Sequence, residues 1–377
     1  MYNEGAARIR YVGSAFLNER ARPLRDIGVG VANVMCAKGF SVLDPTTATG
    51  IRGIRYGLEA KAGSVTMLDM NSAAQKVAAR NAKENSLDAR IIATSLQEFA
   101  NSSPGRFDLI DFDPFGSIAP SVYDIFKITR DGTVVMLTAT DAAVLCGAHE
   151  KACIRIYDAK PMHNELCHEV GLRILIGYVA RIASQFDFGI EPVMSIAHAH
   201  YLRLVLRARS GAEQAYKSTQ NLGYAYYCPS CGYRSCSASV FPTIGACGLC
   251  GSRLAIAGKL WCGRLRDANI VGEVLEWASG AAASYVSSET IKLLSALSKE
   301  CDAPLYYSVP GLTKRLGVSS VSPSELVGLL LGAGFRASKV HIDPSLVRTS
   351  ADLPSIIGLV KGLHASGSGI ANARRMV

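Results

Sequence analysis

The sequence predicts an α/β fold built on a mostly parallel, doubly wound sheet, followed by a smaller α+β region rich in cysteine. Apolar segments of strand length alternate with helical ones from residue 40 to about 140, the pattern of strands joined by crossover helices. Two more apolar segments follow near residue 200, and two C-x-x-C pairs lie beyond residue 225. The 377 residues suffice for about two domains, and 49% hydrophobic against 19% charged residues indicate a globular chain.

The first elements follow from the spacing of apolar residues. Ile27, Val31 and Val34 recur near helical spacing, which predicts a helix over Leu24–Gly39. Apolar runs without a polar face are typical of strands buried in parallel sheets. Such strands are predicted at Phe40–Asp44, Ser64–Asp69, Ala89–Ala93, Phe107–Phe112 and Gly132–Leu137.

Helices are predicted between these strands, one beginning at Ile51 and one over Asn71–Asn85. A longer helix is predicted over His163–Ser184, where apolar residues again recur at helical spacing. Pro192–His198 and Tyr201–Arg207 are expected to pair as an antiparallel edge of the sheet.

The polar segment Ser210–Ser218 marks the predicted boundary between a domain of residues 1–210 and a C-terminal domain of residues 211–377. The formal net charge of the chain is +9, and residues 211–377 hold 16 Lys and Arg against 10 Asp and Glu. Basic side chains gain by displacing counterions from phosphates, so this half is the better candidate for binding nucleic acid. A merely basic enzyme is the alternative.

Nothing in the sequence predicts secretion or a membrane span. Met1–Arg10 is charged and lacks the apolar centre of a signal peptide. No run of about 18 or more apolar residues is free of charge. The eleven cysteines are therefore expected in a reducing, cytoplasmic compartment, in metal-binding or structural roles.

The first predicted strand ends in a loop of small residues, Asp44-Pro-Thr-Thr-Ala-Thr-Gly50. Ligands of open α/β sheets bind at the carboxyl ends of the strands, and small residues let the backbone approach them closely. We interpret Asp44, Thr49 and Gly50 as part of a cofactor site, with a purely structural turn as the alternative. Asp69 ends the next strand, where an acid accepts hydrogen bonds from ribose hydroxyls, unless it caps the following helix. The dinucleotide motif G-x-G-x-x-G is absent, which favours S-adenosylmethionine over NAD.

The fourth predicted strand ends in Asp113-Pro-Phe-Gly116, which resembles the D/N-P-P-Y/F loop of amino-group methyltransferases. An exocyclic amine of a nucleobase is a weak nucleophile because its lone pair is delocalised into the ring. A carboxylate on Asp113 and the carbonyl of Pro114, each accepting one N–H, would orient the amine, and Asp113 could take its proton. Phe115 could stack on an extruded base. A turn role for Asp-Pro is the alternative; Asp111, two residues earlier, is expected to face the other side of the sheet.

Two C-x-x-C pairs, separated by 15 residues, predict a zinc ribbon over about 226–262. The expected ligands are Cys228, Cys231, Cys247 and Cys250, which would close a tetrahedral, structural site. Cys236 and Cys262 lie nearby and either could replace a ligand. The other cysteines lack metal spacing and are interpreted as small buried hydrophobes, and the histidines near two of them as satisfied polar or RNA-facing groups. These residues are Cys36, Cys146, Cys153, Cys167 and Cys301, with His149, His163 and His168.

Taken together, the motifs resemble those of the tRNA (guanine-26, N2)-dimethyltransferase family over nearly the whole chain. Any one motif alone would be unspecific, whereas the combination is very specific. Further matches come late in the chain, at Pro304–Tyr307 and Ala333–Thr349. The main motifs are Leu24-Arg-Asp-Ile27, Ala48-Thr-Gly-Ile-Arg-Gly-Ile-Arg55, Ile110-Asp-Phe-Asp-Pro-Phe-Gly-Ser117, Thr138-Ala-Thr-Asp141, Leu145-Cys-Gly-Ala-His149 and Cys167-His-Glu-Val-Gly-Leu-Arg-Ile-Leu175.

The resemblance implies a Rossmann-like class I S-adenosylmethionine methyltransferase sheet, with a tRNA-binding α+β C-terminal domain that carries the zinc ribbon. It implies two successive methyl transfers to N2 of guanine 26 in tRNA, with Asp113 as the catalytic carboxylate. Arg25, Arg52 and Asp69 would hold the cofactor, and guanidinium groups are suited to its carboxylate. Ser95 and Leu96 would meet the adenine.

The chain departs from the family pattern at two places. The family usually has an acid near Ser95, where this chain has Thr94-Ser95-Leu96, and its F-Y-N-P motif corresponds here to Phe16-Leu17-Asn18-Glu19. The first change bears on adenine contact and the second on an N-terminal lid. In the C-terminal domain, basic residues around apolar Leu326–Leu331 form either a module that docks on a tRNA stem or a scaffold with solvated charges. These are Arg336, Lys339 and Arg348.

The sequence is also compatible with two other functions. The Asp113 loop would equally serve an amino-methyltransferase acting on another tRNA guanine, on adenine N6 or on a protein amide. A non-catalytic RNA-binding protein with a zinc ribbon is the alternative from another class. The sequence implies no protein partner, and one methyl transfer or two, or transfer to a neighbouring guanine, would suit it equally.

Overall fold

A computed structural model describes residues 1–10, 15–102, 105–243 and 245–373 of the chain. The strands, in chain order, are β1 Tyr2–Glu4, β2 Ala7–Ile9, β3 Ser41–Asp44, β4 Ser64–Leu68, β5 Arg90–Ile92, β6 Phe107–Phe112, β7 Thr129–Ala139, β8 Phe188–His198, β9 Tyr201–Ser210, β10 Leu222–Tyr227, β11 Arg234–Ala238, β12 Ala255–Trp261, β13 Tyr307–Ser308, β14 Ala337–Lys339 and β15 Leu346–Thr349.

The helices begin and end close to where the apolar spacing predicts them in the first part of the chain. No helix in the described part of the chain is both long and apolar enough to cross a membrane. Two short 3₁₀ turns, Glu19–Ala21 and Ala119–Ser121, accompany them. The α-helices are α1 Arg22–Met35, α2 Ile51–Glu59, α3 Ser72–Glu84, α4 Leu96–Asn101, α5 Val122–Lys127, α6 Ala142–Leu145, α7 Glu150–Tyr157, α8 Cys167–Ser184, α9 Ala212–Thr219, α10 Ala268–Ser279, α11 Ser288–Lys299, α12 Val309–Leu316, α13 Pro323–Gly332 and α14 Leu353–Ala373.

The chain divides into two compact units, and neither is continuous in sequence. Unit one consists of Met1–Ala143, Leu175–Asn221 and Leu265–Ser298. Unit two consists of Val144–Ile174, Leu222–Arg264 and the residues from Lys299 onward. This division differs from the predicted single boundary at residue 210. Residues 144–174 precede that boundary but belong to unit two, and residues 265–298 follow it but belong to unit one.

Unit one is organised around a seven-stranded sheet with the order β5-β4-β3-β6-β7-β9-β8. Neighbouring strands from β5 to β7 are parallel, and β9 runs antiparallel to both β7 and β8. The mostly parallel sheet and its antiparallel edge are therefore as the sequence predicts. The strand order reverses between β3 and β6, which makes their carboxyl ends the point where ligands of such sheets bind.

Helix α1 explains why residues far along the chain belong to unit one. It packs against α10, and Ile27 and Val274 lie in the same hydrophobic core. A Cβ added at Gly30 would lie only 2.8 Å from the ring of Trp277, so glycine at this position allows the two helices to approach closely. Residues 265–298 thus complete the core of unit one.

Unit two holds two small antiparallel sheets, with the orders β11-β10-β12 and β13-β15-β14. Its core includes Leu326, Leu330, Val347 and Ile356. Arg348 is 2% exposed and forms an ion pair within the unit, which contradicts the idea that it belongs to a solvated or RNA-docking surface. Arg336 and Lys339, by contrast, are exposed.

Candidate active site and cysteine clusters

The candidate active site lies in unit one, at the carboxyl ends of β3 and β6. Leu43 and Ile110 are paired across these strands, so the loops that follow them are neighbours. A cavity of about 930 Å³ opens there. Asp44 and Gly50 support the loop without lining the cavity. The other predicted site residues of unit one line it, namely Arg25, Thr49, Arg52, Asp69, Ser95, Leu96, Asp113, Pro114 and Phe115.

The loop after β3 depends on unusual backbone conformations and on a buried acid. Ala48 has a φ of 47° and Gly50 a φ of 83°, both in the left-handed region that favours glycine. A Cβ on Gly50 would also lie 3.3 Å from Ala78 of α3. Behind the loop, the Thr47 hydroxyl donates to Oδ2 of Asp44 at 3.0 Å. The loop is thus held in one shape, with its backbone presented to the cavity.

Arg52, in the first turn of α2, connects this loop to the one after β6. Its Nη2 donates to Oδ2 of Asp113. Its Nη1 is buried and has no hydrogen-bond partner among the described residues, and the same holds for Oγ1 of Thr49. Buried polar atoms in folded proteins are nearly always hydrogen-bonded. Two unpaired polar atoms on residues that line one cavity therefore indicate a polar ligand.

Acidic groups crowd around Arg52. Burial raises the pKa of the Asp44 carboxyl to about 6, although nearby Arg52 acts to lower it. Burial would lower the pKa of Arg52, but the carboxylates of Asp113, Asp111 and Asp44 raise it above its ordinary value. Arg52 therefore remains a cation inside the site, where low polarity strengthens its hydrogen bonds to anionic groups.

Asp69 joins the loops after β3 and β4. Its Oδ2 accepts the N–H of Ala48 at 2.9 Å, and its Oδ1 accepts the N–H of Asn71 at 2.8 Å. The cap of helix α3 is Asn71, whose side chain accepts the N–H of Ala73. Asp69 is thus not the helix cap, and its carboxylate is oriented at the cavity wall.

Arg25, from α1, lines the cavity. Its guanidinium group is held by Glu4, which no sequence motif indicated. Its Nε and Nη2 donate to the two carboxylate oxygens of Glu4 at 2.7 and 2.5 Å. Its Nη1 donates to the carbonyl of Asn18 at 2.8 Å. Glu4 also accepts from Arg55 and is 1% exposed, so β1 is tied to α1 and α2 by buried ion pairs. Burial raises the pKa of Glu4, but Arg25 and Arg55 together hold it below its ordinary value.

The loop after β6 is fixed at both ends. The N–H of Asp113 donates to Oγ1 of Thr46 at 3.2 Å. Gly116, with a φ of 83°, donates its N–H to Oγ1 of Thr140 at 2.6 Å and accepts the Thr140 N–H at 3.0 Å. Between these anchors, Asp113 and Pro114 line the cavity.

Phe115 lies on the exposed side of that loop. Its side chain is 79% exposed, and its ring contacts Phe16 edge to face, with 5.0 Å between ring centroids. Phe16 is itself 57% exposed. Two large aromatic side chains are thus paired in solvent beside the cavity, where a planar ligand could stack on either.

Asp111 does not line the cavity, as the alternation along β6 predicts. It is fully buried and accepts hydrogen bonds from the Tyr56 hydroxyl at 2.6 Å and from Arg203 at 3.0 and 3.1 Å. Burial would raise its pKa, but the charges of Arg203 and Arg52 lower it. Asp111 supports the sheet beneath the site as a buried ion.

Ser95 and Leu96 border the cavity at the start of α4. Ser95 caps the helix, since its hydroxyl accepts the N–H of Glu98 at 3.1 Å and its N–H donates to Oε2 of Glu98. Leu96 is 7% exposed and offers an apolar surface at the cavity. The Ser95 hydroxyl is therefore engaged locally, with the backbone and the carboxylate of Glu98.

Two further residues, Glu4 and Tyr201, were not anticipated as functional, and Phe16 was expected only as part of an N-terminal lid. Glu4 and Phe16 precede the first predicted element, and Tyr201 of β9 lines the cavity and donates its hydroxyl to the carbonyl of Arg20 at 3.2 Å. No motif marks Glu4, because its partners lie 21 and 51 residues away in the chain. An aromatic residue in the position of the family's F-Y-N-P motif was the one available signal, for Phe16.

In unit two, the four cysteines predicted as zinc ligands come together. The Sγ atoms of Cys228, Cys231, Cys247 and Cys250 lie within 4.8 Å of one another. The Cys228–Cys250 and Cys231–Cys247 sulfur pairs are 3.4 and 3.6 Å apart. Tetrahedral zinc with Zn–S bonds of about 2.3 Å would hold sulfurs about 3.8 Å apart, so the donor set fits that ion.

The turns around this cluster repeat the same geometry. Gly232 and Gly251 have φ values of 82° and 72° and donate their N–H groups to the carbonyls of Cys228 and Cys247 at 2.9 and 2.8 Å. Cys236 and Cys262, the alternative ligands, lie outside the cluster, and their sulfurs are 3.0 Å from each other.

Comparison with known proteins was consistent with one family. A profile described as N2,N2-dimethylguanosine tRNA methyltransferase matches residues 3–361. A tRNA (guanine(26)-N(2))-dimethyltransferase from Pyrococcus furiosus is 35% identical over 361 residues, 92% of each chain. One from Methanospirillum hungatei is 38% identical over 343 residues, 90% of each chain. The structure of Trm1 from Pyrococcus horikoshii with S-adenosyl-L-methionine superposes with a TM-score of 0.87 at 31% identity, covering 95% of this chain and 98% of that one.

Proposed function

The chain belongs to the N2,N2-dimethylguanosine tRNA methyltransferase family, and from this premise we propose that it transfers one and then a second methyl group from S-adenosylmethionine to N2 of guanine 26 in tRNA. The single observation that carries the proposal is the meeting of the Asp113-Pro114-Phe115 loop with Arg52 and Thr49 at one cavity. One side of this site suits an amino group and the other a polar cofactor.

The cofactor would occupy the side formed by the loops after β3 and β4. The unpaired Nη1 of Arg52 and Oγ1 of Thr49 would bind the methionine part, and Asp69 the ribose hydroxyls. Arg25 would reach the same carboxylate only through the terminal N–H groups that Glu4 and the Asn18 carbonyl do not use. Ser95 and Leu96 would meet the adenine, with Asp44 and Gly50 holding the loop behind. When bound, S-adenosylmethionine supplies an electrophilic methyl group on a sulfonium.

The guanine would occupy the other side, against the Asp113 loop. A free Oδ1 of Asp113 and the Pro114 carbonyl would each accept one N–H of the exocyclic amine, which orients its lone pair toward the methyl donor. Arg52 holds the Asp113 carboxylate in one orientation. The new nitrogen–carbon bond would form as the methyl carbon–sulfur bond of the sulfonium breaks, leaving the electron pair on a neutral thioether, and the N–H proton would pass to Asp113 and then to solvent.

The two acceptors also account for a second transfer. After the first transfer the amine keeps a single N–H, and one acceptor suffices to orient it. The first methyl group then takes the place of the other N–H. Two methyl groups use up both protons, so the reaction stops at N2,N2-dimethylguanine.

The paired aromatic rings supply a surface for the base. Guanine 26 must leave its stack before its amine can reach the partly buried carboxylate of Asp113. Phe115 and Phe16 lie exposed beside the cavity, and stacking on aromatic side chains stabilises an extruded base by about 1–3 kcal/mol.

We assign the wider architecture accordingly. The sheet of unit one is a Rossmann-like class I methyltransferase sheet, and the four-cysteine cluster is a structural zinc ribbon. Residues 211–377, the more basic part, contribute most of the tRNA binding. A tRNA substrate and reduced zinc thiolates both suit a cytoplasmic location.

The test is methyl transfer from labelled S-adenosylmethionine to two unmodified tRNA transcripts that differ only at position 26. The transcript with guanine should be labelled and the one with adenine should not. Equal labelling of both transcripts would support methyl transfer but contradict position 26 as its site. Labelling of the adenine transcript alone would favour the adenine N6 alternative. If neither is labelled while the chain still binds tRNA, the non-catalytic function is the correct one.

A further inference from the structure

Unit two contains a second group of metal-ligand atoms, separate from the four-cysteine cluster. Sγ of Cys146, Sγ of Cys167 and a ring nitrogen of His168 all lie within 4.8 Å of one another. All three side chains are partly buried. Of the five cysteines expected to be small buried hydrophobes, Cys153 is buried as expected, whereas Cys146 and Cys167, like Cys36 and Cys301, are only partly buried. The grouping brings the turn after α6 to the first residues of α8.

The spacing within this group matches a tetrahedral zinc site. Sγ of Cys167 and Nδ1 of His168 are 3.5 Å apart. Zinc bonds of about 2.3 Å to sulfur and about 2.0–2.1 Å to nitrogen would place these two donors about 3.6 Å apart. Cys167 and His168 thus hold their sulfur and nitrogen atoms at the distance expected between two ligands of a tetrahedral zinc ion.

The turn that carries Cys146 is built for close packing. Gly147 has a φ of 91°, and a Cβ added there would lie 2.9–3.0 Å from backbone atoms of Met162 and His163. Nδ1 of His163 lies 3.3 Å from the Cys146 carbonyl. Because backbone cannot move aside as a side chain can, glycine is required to bring Cys146 to the segment that leads into Cys167.

We propose that Cys146, Cys167 and His168 bind a zinc ion whose fourth ligand is water. Two thiolates and one imidazole are soft and borderline donors that favour zinc over magnesium or calcium, which require oxygen ligands. Three protein ligands leave one position open, unlike the closed four-cysteine cluster. The site goes beyond methyl transfer and beyond the zinc ribbon, and it does not depend on either.

Zinc content per chain tests the proposal directly. The whole chain, purified from zinc-supplemented cells without chelator, should contain two zinc ions by mass spectrometry. Cys167→Ser and His168→Gln should each contain one, and so should Cys228→Ser, which removes the other site. Cys36→Ser, a partly exposed cysteine in unit one that belongs to neither cluster, is the matched control and should keep two.

Cobalt substitution keeps the test valid if a single variant fails to fold. The thiolate-to-cobalt absorption of the wild-type chain should be about half again as strong as four thiolates give, because two more thiolates contribute. One zinc ion in the wild-type chain, unchanged in Cys167→Ser and lost in Cys228→Ser, would overturn the proposal. So would a disulfide between Cys146 and Cys167, detected by peptide mass as the loss of two hydrogen atoms.

Discussion

At the residue scale, the proposed chemistry depends on the Asp113 carboxylate, whose two oxygens have different roles. Arg52 donates to Oδ2 of Asp113, which fixes the orientation of the side chain. No described residue donates a hydrogen bond to Oδ1, which is the oxygen assigned to the substrate amine. The backbone is held as well, by Thr46 on the Asp113 N–H. Positioning of this kind is what allows a weak nucleophile to react.

Asp113→Asn should lower kcat for methyl transfer by about two to four orders of magnitude, because the amide cannot take the proton. Binding of S-adenosylmethionine, measured by calorimetry, should persist. Asp88→Asn, at an exposed position outside the site, is the matched control and should leave kcat unchanged. Near-wild-type turnover in the Asp113 variant would mean that the carboxylate takes no part in the reaction.

Phe115→Ala should lower kcat/KM for tRNA by about 5- to 150-fold, the equivalent of losing about 1–3 kcal/mol of base stacking. The melting temperature should barely change, because the ring is 79% exposed. Steady-state kinetics with tRNA as the varied substrate measure the effect. Phe115→Tyr keeps the ring and should retain activity, and an equal loss in both variants would argue against stacking.

Local motifs predicted most of the active site but not its supports. Asp113, Asp69 and the loop before Gly50 end strands, and such positions can be recognised from sequence alone. Glu4 could not, because it is defined by partners that only folding brings near. The grouping of Cys146 with Cys167 could not be recognised either, because the two cysteines are far apart in the chain and only folding brings them together.

At the element scale, the first turn of α8 acts as an electrostatic anchor of unit two. Glu169 is fully buried, with Oε1 accepting from Arg173 at 2.9 Å and from the Leu305 N–H at 2.8 Å. Its Oε2 lies 2.9 Å from Arg348 of β15. Burial would raise the pKa of Glu169, but the charges of Arg348 and Arg173 lower it to about 2.

Glu169→Gln should lower the free energy of unfolding at pH 7 by about 3–5 kcal/mol, because buried Arg173 loses its carboxylate partner and buried Arg348 keeps only the longer ion pair with Glu300. A carboxyl with a depressed native pKa stabilises the fold above its unfolded pKa of about 4.3, and this contribution is lost as the pH falls toward 2. The difference between wild type and variant should therefore shrink below about pH 4.

Urea unfolding at pH 7, 5 and 3 measures that difference. Glu213→Gln is the control, since Glu213 forms an exposed ion pair with Lys217 and should change the stability by less than about 1 kcal/mol. A difference that stays constant over this pH range would mean that Glu169 acts through packing and not through its charge.

The elements that carry strong periodicity were predicted best. β6 has the bounds predicted, and α3 differs from its prediction by one residue at each end. The hairpin of β1 and β2 was missed, because three-residue strands leave no period to detect. The pairing of α1 with α10 was missed for another reason. The space that Gly30 leaves for Trp277 is visible only when both helices are in place.

At the scale of the whole molecule, sequence order and spatial order differ. The predicted boundary at residue 210 rested on a polar segment, which does not report which cores the flanking residues join. Compact units follow the cores, and segments 144–174 and 265–298 join cores remote from them in sequence. Spatial division of this kind depends on long-range contacts, which a single sequence does not display.

Cys228→Ser should lower the melting temperature and the zinc content of the whole chain, because metal binding contributes directly to the folding of zinc ribbons. The effect on kcat at saturating tRNA should be smaller than that of Asp113→Asn, because the cluster holds no residue of the proposed chemistry. Differential scanning calorimetry with metal analysis measures both. Unchanged melting together with full zinc content would remove Cys228 from the ligand set.

The central claim is that the Asp113 site methylates N2 of guanine 26, once and then again. Its most direct test is a time course of nucleosides, resolved by mass spectrometry, from a tRNA transcript incubated with the chain and S-adenosylmethionine. N2-methylguanosine should appear first and decline as N2,N2-dimethylguanosine accumulates, with no product from an otherwise identical transcript that carries adenine at position 26. Methylation at a ring nitrogen, or on any base other than guanine 26, would contradict the account.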